Sequence, residues 1–170
     1  ASIGRETRGN AMTEPLLLRD DRDHVATLTL NSPANFNALS DAMLLALSTE
    51  IARLAKDRTI RAVIVKGAGK AFCAGHDLKE MQSHRRDADG GAAYYAGLFA
   101  VCSAMMQSLQ ALTQVTIAQV HTIATAAGCQ LAASCDMVVA ATGTRFGVNG
   151  INIGLFCSTP MVALTRKVPP

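Results

Sequence analysis

The sequence predicts an α/β domain, and two observations carry that prediction. Short extended runs, such as 62–66 and 115–120, alternate with segments whose apolar residues recur at intervals of three and four. Small-residue turns stand where strand passes to helix, at Gly67-Ala68-Gly69 and at Ala126-Ala127-Gly128. At 170 residues the chain can build one domain with a substantial core.

In chain order, residues 1–13 show no apolar secretory stretch and read as a flexible leader or an appended remnant. Within them Met12 can serve as a start, and Arg5 and Arg8 fit a transit-peptide remnant. A first strand is expected over 24–30, then a loop over 31–37. Ser40 can cap a helix with Leu44, Leu47, Ile51 and Leu54 on one face. After the buried-looking strand 62–66, Asp77 reads as the N-cap of a short helix, and Glu80 three residues on predicts a capping box. A polar, Gly-rich stretch over 83–91 leads to a second amphipathic helix with Leu98, Val101, Met105, Leu109 and Leu112 on its inner face. Strand 115–120 enters the second small-residue turn, an apolar helix follows, and Asp136 opens a strand over 137–141. Beyond a Gly-rich loop over 143–154, Thr159-Pro160 supplies an N-cap and first position for a last helix. No internal repeat or long low-complexity segment interrupts this order.

Several function classes are disfavoured. Hydrophobic residues make up 49%, yet no apolar run reads as a bilayer span, and a net charge of +3 with mixed signs gives no nucleic-acid stripe. The five cysteines, Cys73, Cys102, Cys129, Cys135 and Cys157, are odd in number and form no CxxC pair. Buried free thiols are expected, in a reducing compartment: the cytoplasm, or the mitochondrial matrix in a eukaryote. His24, His76, His84 and His121 stand in unrelated contexts, so no metal site is expected. Lys66-Gly-Ala-Gly-Lys70 lacks the upstream glycine of a P-loop and has Ala71 where a Ser or Thr would meet magnesium. There is no HExxH, GxSxG or GxGxxG.

What remains is backbone chemistry. The first amides of a helix have no intrahelical partner, and small residues let another molecule approach them. The stretch 75–78 and the turn 126–128 each offer such amides, so the two turns together could grip one oxygen gaining negative charge.

On these residues the chain resembles the enoyl-CoA hydratase/isomerase (crotonase) superfamily. The resemblance rests on Asn37-Ala38-Leu39, on Ala74-Gly75-His76-Asp77-Leu78-Lys79-Glu80-Met81, on Ala127-Gly128-Cys129-Gln130-Leu131, and on Cys135-Asp136 and Phe146-Gly147 after them. It runs in order from about residue 16 to the end, and implies a ββα spiral core over 14–170 at about two-thirds of the family's usual length, without its C-terminal helices. It also implies an acyl-CoA substrate, no tightly bound cofactor, coenzyme A present only as part of the substrate, and a trimeric or hexameric homo-oligomer. By motif position the oxyanion donors are the amides of His76 and Ala127. Substrate and CoA contacts fall on Asn35, Phe36, Ala38, Ala74, Gly75, Asp77, Leu78 and Gly128. Ala127 and Thr122 stand where the family often has glycine, and Ala34 replaces a lysine common in the CoA loop. The two hydratase carboxylates are replaced by Gln130 and Gly150, neither of which can move a proton, and Asn149 or Asn152 could face the site instead. Three readings follow: an enoyl-CoA hydratase-like enzyme or another enolate-forming enzyme such as a malonyl-type decarboxylase; a noncatalytic acyl-CoA-binding relative; and a structural subunit or fragment. His76 as an acid/base group and His76 as a loop-orienting wall both fit the sequence. Asp77 fits a helix cap better than a catalyst.

Overall fold

A computed structural model describes residues 14–148, 150–151, 154 and 156–168. The main sheet opens with a hairpin: β1 (Leu17–Arg22) and β2 (Val25–Leu30) pair antiparallel around Asp23 and His24, whose φ values are +50° and +65°. Two positive-φ residues twist a tight turn in the sense the strands need. The sequence expectation began this strand at His24 and put none before it. β1 escapes the pattern because its inward position is held by Arg19, which pairs with Asp21 at 2.7 Å, Glu50 at 2.8 Å and Asp57 at 3.0 Å.

Helix α1 (Asp41–Leu54) starts where Ser40 accepts from the Met43 amide at 3.2 Å, and it buries Leu44, Leu47, Ile51 and Leu54 as expected. β3 (Ala62–Gly67) then pairs parallel with β2. The short α2 (Leu78–Ser83) is capped by Asp77, but Glu80 does not close a capping box. Its carboxylate reaches instead across to the first amide of α1, Asp41 N, at 2.9 Å. A pattern that reads as local thus ties two helices together.

α3 (Ala92–Gln110) buries Leu98, Cys102, Met105, Met106 and Leu109. Val101, expected inside, is 49% exposed, and Leu112 lies past the helix end, half-buried. The inner stripe passes through Cys102 because its apolar spacing continues from Leu98 by four. With 19 residues and no charge, α3 has the length and composition of a bilayer-crossing helix, a run the sequence reading passed over; here it packs on α1 and α4.

β4 (Val115–Val120) pairs parallel with β3. The chain leaves the sheet for β5 (Ile123–Thr125), turns into α4 (Ala127–Ser134), and returns as β6 (Met137–Ala140), parallel to β4. β5 pairs parallel with β7 (Arg145–Gly147) in a second, two-stranded sheet. Both of these three-residue strands were read as turn and loop, for each is defined by its partner rather than by any periodicity. The last helix, α5 (Ser158–Thr165), starts two residues earlier than expected: Cys157 occupies the cap position, and Thr159 turns its hydroxyl elsewhere.

The main sheet runs β1-β2-β3-β4-β6. Successive parallel strands are joined through helices, the ββα repeat implied by the resemblance. Ala26, Leu28 and Leu30 of β2, Val63 and Val65 of β3, and Ala118 and Val120 of β4 turn one face into a core with α1 and α3. All five cysteines are buried and unpaired. The expectation for residues 1–13, and those for Asn149 and Asn152, lie outside the described residues.

Candidate active site

Three segments distant in sequence run side by side at the ends of β2, β3 and β4. The first is the loop after β2, where a 3₁₀ turn over Pro33–Asn35 leads to Phe36 and Asn37, both left-handed at φ +56° and +55°. Asn37 is fully buried. Its Nδ2 donates to the carbonyls of Ala68 and Ala71, each at 2.8 Å, and its Oδ1 accepts from Ser32 N at 2.9 Å. That side chain locks this loop to the one after β3.

The second segment, 73–77, fits between the first and third. The Leu39 amide donates to Gly75 O at 2.7 Å and the Ala74 amide to Phe36 O at 3.1 Å. On its other side the Thr125 amide donates to Cys73 O at 3.1 Å, and Cys73 bridges Ala124 in parallel.

The third segment is the turn into α4. A Cβ on Gly75 would lie 3.0 Å from Ala126 Cβ, 3.1 Å from Thr125 O and 3.3 Å from Ala127 N, and Gly75 holds φ +96°. A Cβ on Gly128 would sit 2.2 Å from Cys73 O, closer than any atom can approach. Both glycines are therefore demanded by contact: they let the Gly75–His76 peptide lie against the N-terminus of α4. Neither the His76 N–H nor the Ala127 N–H donates to a protein acceptor among the described residues. Ala126 caps α4 at φ +51°, ψ −124°, a backbone region suited to glycine that stores strain on the order of 1 kcal/mol in alanine. Thr122 likewise sits at φ +57°, so the turn keeps its shape without glycine there.

Around these amides the side chains divide. The His76 ring is partly buried, its Nδ1 has no hydrogen-bond partner, and its edge contact with the Phe99 ring has centroids 5.6 Å apart at 75°. Burial lowers its pKa below the ordinary histidine value, with the Leu39 backbone and the Asp41 charge opposing, so the ring is neutral near pH 7. Asp77 Oδ1 accepts from Lys79 N at 3.0 Å and Glu80 N at 3.2 Å, while its Oδ2 accepts from Asn35 Nδ2 at 3.3 Å. It is a cap and a tie to the first loop. Phe36 and Leu78 are exposed beside this strip, at 52% and 54%, and Ala38 is buried.

Gln130 and Gly150 lie on other elements than His76, in the first turn of α4 and in the segment before α5. Gln130 is 7% exposed, and its Oε1 accepts from Thr159 Oγ1 at 3.1 Å. It borders a cavity of about 470 Å³ between α3, α4 and α5, which shares no lining residue with the cavity beside Phe99. The Gly150 amide donates to Cys157 Sγ at 3.3 Å. Among the described residues no three His, Cys, Asp or Glu side chains gather as metal ligands would.

The sequence reading overlooked the cavity beside Phe99. Leu78, Met81, Gln82, Arg85, Tyr95 and Phe99 line about 460 Å³ of it. Arg85 lay inside a stretch read only as a polar connection. The available signal was a pair of arginines, Arg85-Arg86, directly after an apolar-faced α2.

Comparison with known proteins agrees with this architecture. A family model described as enoyl-CoA hydratase/isomerase matches residues 20–170. Enoyl-CoA hydratase domain-containing protein 3, mitochondrial, of Mus musculus is 43% identical over 169 residues, 99% of this chain and 55% of its own length. The Homo sapiens protein of the same name is 42% identical over 147 residues, 86% of this chain and 47% of its own. Among solved structures, an enoyl-CoA hydratase from Mycobacterium smegmatis is 56% identical with a TM-score of 0.86, covering 92% of this chain and 60% of that one. The human domain-containing protein 3 structure is 39% identical, TM-score 0.82, covering 91% and 59%. The chain spans about half the length of the curated relatives it matches.

Proposed function

Given that this chain belongs to the enoyl-CoA hydratase/isomerase family, we propose that it binds an acyl-CoA thioester with the carbonyl oxygen between the amides of His76 and Ala127. The observation that carries the reading is the forced contact of the two turns, Gly75 against Ala127 and Gly128 against Cys73. Two unpaired N–H groups brought to one place by glycines that tolerate no side chain suit an oxygen acquiring charge, and each such donor is worth about 3 kcal/mol to a transition state.

The chemistry follows from what these residues can hold. Two amides polarise the thioester carbonyl and stabilise an enolate formed beside it. Hydration of an enoyl-CoA also needs a group to take and return water's proton. Gln130 has no proton to exchange at neutral pH, its oxygen is engaged by Thr159, and Gly150 has no side chain. Each missing acid or base lowers the rate by about 10²- to 10⁴-fold. Asp77 on the strip is engaged as a helix cap, which leaves a neutral His76 beside the two amides. Acyl-CoA binding with slow or no hydration is therefore the expected behaviour. Decarboxylation of a malonyl-type thioester is the reaction best matched to the site, because the departing carboxyl group leaves the enolate without help from a base. The names of the relatives support a mitochondrial setting, and the family supports fatty acid and acyl-CoA metabolism.

Incubation with crotonyl-CoA and methylmalonyl-CoA, followed by mass spectrometry, tests this. Loss of carbon dioxide, or an unchanged panel with calorimetric CoA-thioester binding, is expected. Rapid gain of water would overturn the assignment of Gln130 and Gly150, and failure to bind any thioester would overturn the site.

A further inference from the structure

We propose that the cavity beside Phe99 selects acyl groups ending in a carboxylate, with Arg85 as the residue that recognises it. This rests on the thioester site proposed above, independently of the decarboxylation reading, and adds the class of acyl chain.

The cavity begins next to that site. Phe99, one of its walls, touches the His76 ring, and Leu78, another, follows directly on Asp77. Its walls are apolar: Leu78, Met81, Tyr95 and Phe99, with the Tyr95 hydroxyl turned away to donate to Met81 O at 2.8 Å. An acyl chain leaving the thioester would enter an apolar channel along α2. The six residues of that helix extend it by about 9 Å. At the far end of α2 the lining changes character, to Gln82 and Arg85.

Arg85 has no anionic partner among the described residues, and neighbouring Lys79 and Arg86 have none either. These three cations line an adjoining groove of about 600 Å³ whose lining holds no acid. The acids of the same segment are engaged elsewhere. Asp77 caps α2, Glu80 caps α1, Asp87 pairs with His84 Nδ1 at 2.8 Å, and Asp89 caps α3 through the amides of Gly91 and Ala93. His84 is further held in a stack on Tyr94, with centroids 3.6 Å apart. An apolar channel ending at an unpaired guanidinium is matched by a chain that is apolar along its length and anionic at its tip. The planar guanidinium fork suits a carboxylate.

An anion at this place could also be a phosphate of CoA itself, and the test separates the two. Calorimetry of the purified protein with free CoA, hexanoyl-CoA and adipyl-CoA compares equal chain lengths with and without the terminal carboxylate. The expected result is adipyl-CoA binding about tenfold tighter than hexanoyl-CoA, the factor for one partly exposed charge-assisted contact. In Arg85→Gln that ratio falls to about one, and Arg85→Lys keeps part of it. Equal affinity of the wild type for the two thioesters overturns the proposal, as does a ratio that survives Arg85→Gln. Equal weakening of free CoA and adipyl-CoA in the variant assigns Arg85 to a CoA phosphate and also overturns it. If hexanoyl-CoA binds and only the preference is missing, the thioester site stands. If no thioester binds, both readings fall.

Discussion

Two residues at the junction of the three segments carry opposite kinds of legibility. His76 was conspicuous in the sequence as a titratable side chain in a motif, but its protonation is set by burial that no local pattern shows. Because the folded pKa lies below the ordinary value of about 6.5, the unfolded chain takes up the proton first. The stability tied to the neutral ring is thus present above pH 6.5 and lost as pH falls below it. His76→Gln removes that loss, so the melting-temperature advantage of wild type over variant should shrink between pH 7.5 and pH 5.5 in calorimetric scans. Asn37 is the reverse case. It entered the motif match without a role, and its role became visible only with Ala68, Ala71 and Ser32 around it. Asn37→Ala strands three backbone groups and should cost about 2–4 kcal/mol, read as a lowered urea midpoint at constant slope.

Elements governed by neighbours in sequence were readable; elements governed by distant partners were not. Ser40 and Asp77 cap their helices as read, because a cap lies within three residues of what it binds. The α1 stripe follows from its spacing. Glu80 shows the limit: the signature of a capping box was present, but its carboxylate finds the open end of α1 rather than its own helix. β5 and β7, at three residues each, exist through the pairing Ile123–Arg145, Ala124–Phe146 and Thr125–Gly147. The contact between 73–76 and α4 belongs to this scale as well. Gly128→Ala would force Cys73 O away from the helix and should cost about 3 kcal/mol or more, with thioester affinity falling further than stability alone explains. Thermal melts paired with calorimetric binding separate the two effects. A variant that melts and binds as wild type would show that the two turns do not need their present spacing.

For the molecule as a whole, the α/β class and the succession of the helices with β2, β3, β4 and β6 were legible from alternation, and the spiral from linked motifs. Surface character was not. β6 forms one edge of the main sheet with Met137, Val138 and Val139 at 54%, 43% and 57% exposure, and Phe156 and Ile151 are exposed too, at 75% and 74%. An apolar edge strand with unpaired backbone groups invites another strand. Val139→Lys should reduce the associated fraction seen by light scattering as concentration rises, while moving stability by no more than about 0.5 kcal/mol. The meeting of the two turns at Gly75 and Ala127 has a consequence for how the protein folds. His76 and Ala127 lie about fifty residues apart, and the parallel pairing of β3 with β4 must close before they can meet. A segment carrying one of the two turns holds one amide and lacks the other. A bound thioester would therefore report a long-range step of the folding reaction. In amide exchange the protons of these two turns should open with the global unfolding event rather than with the loops that surround them.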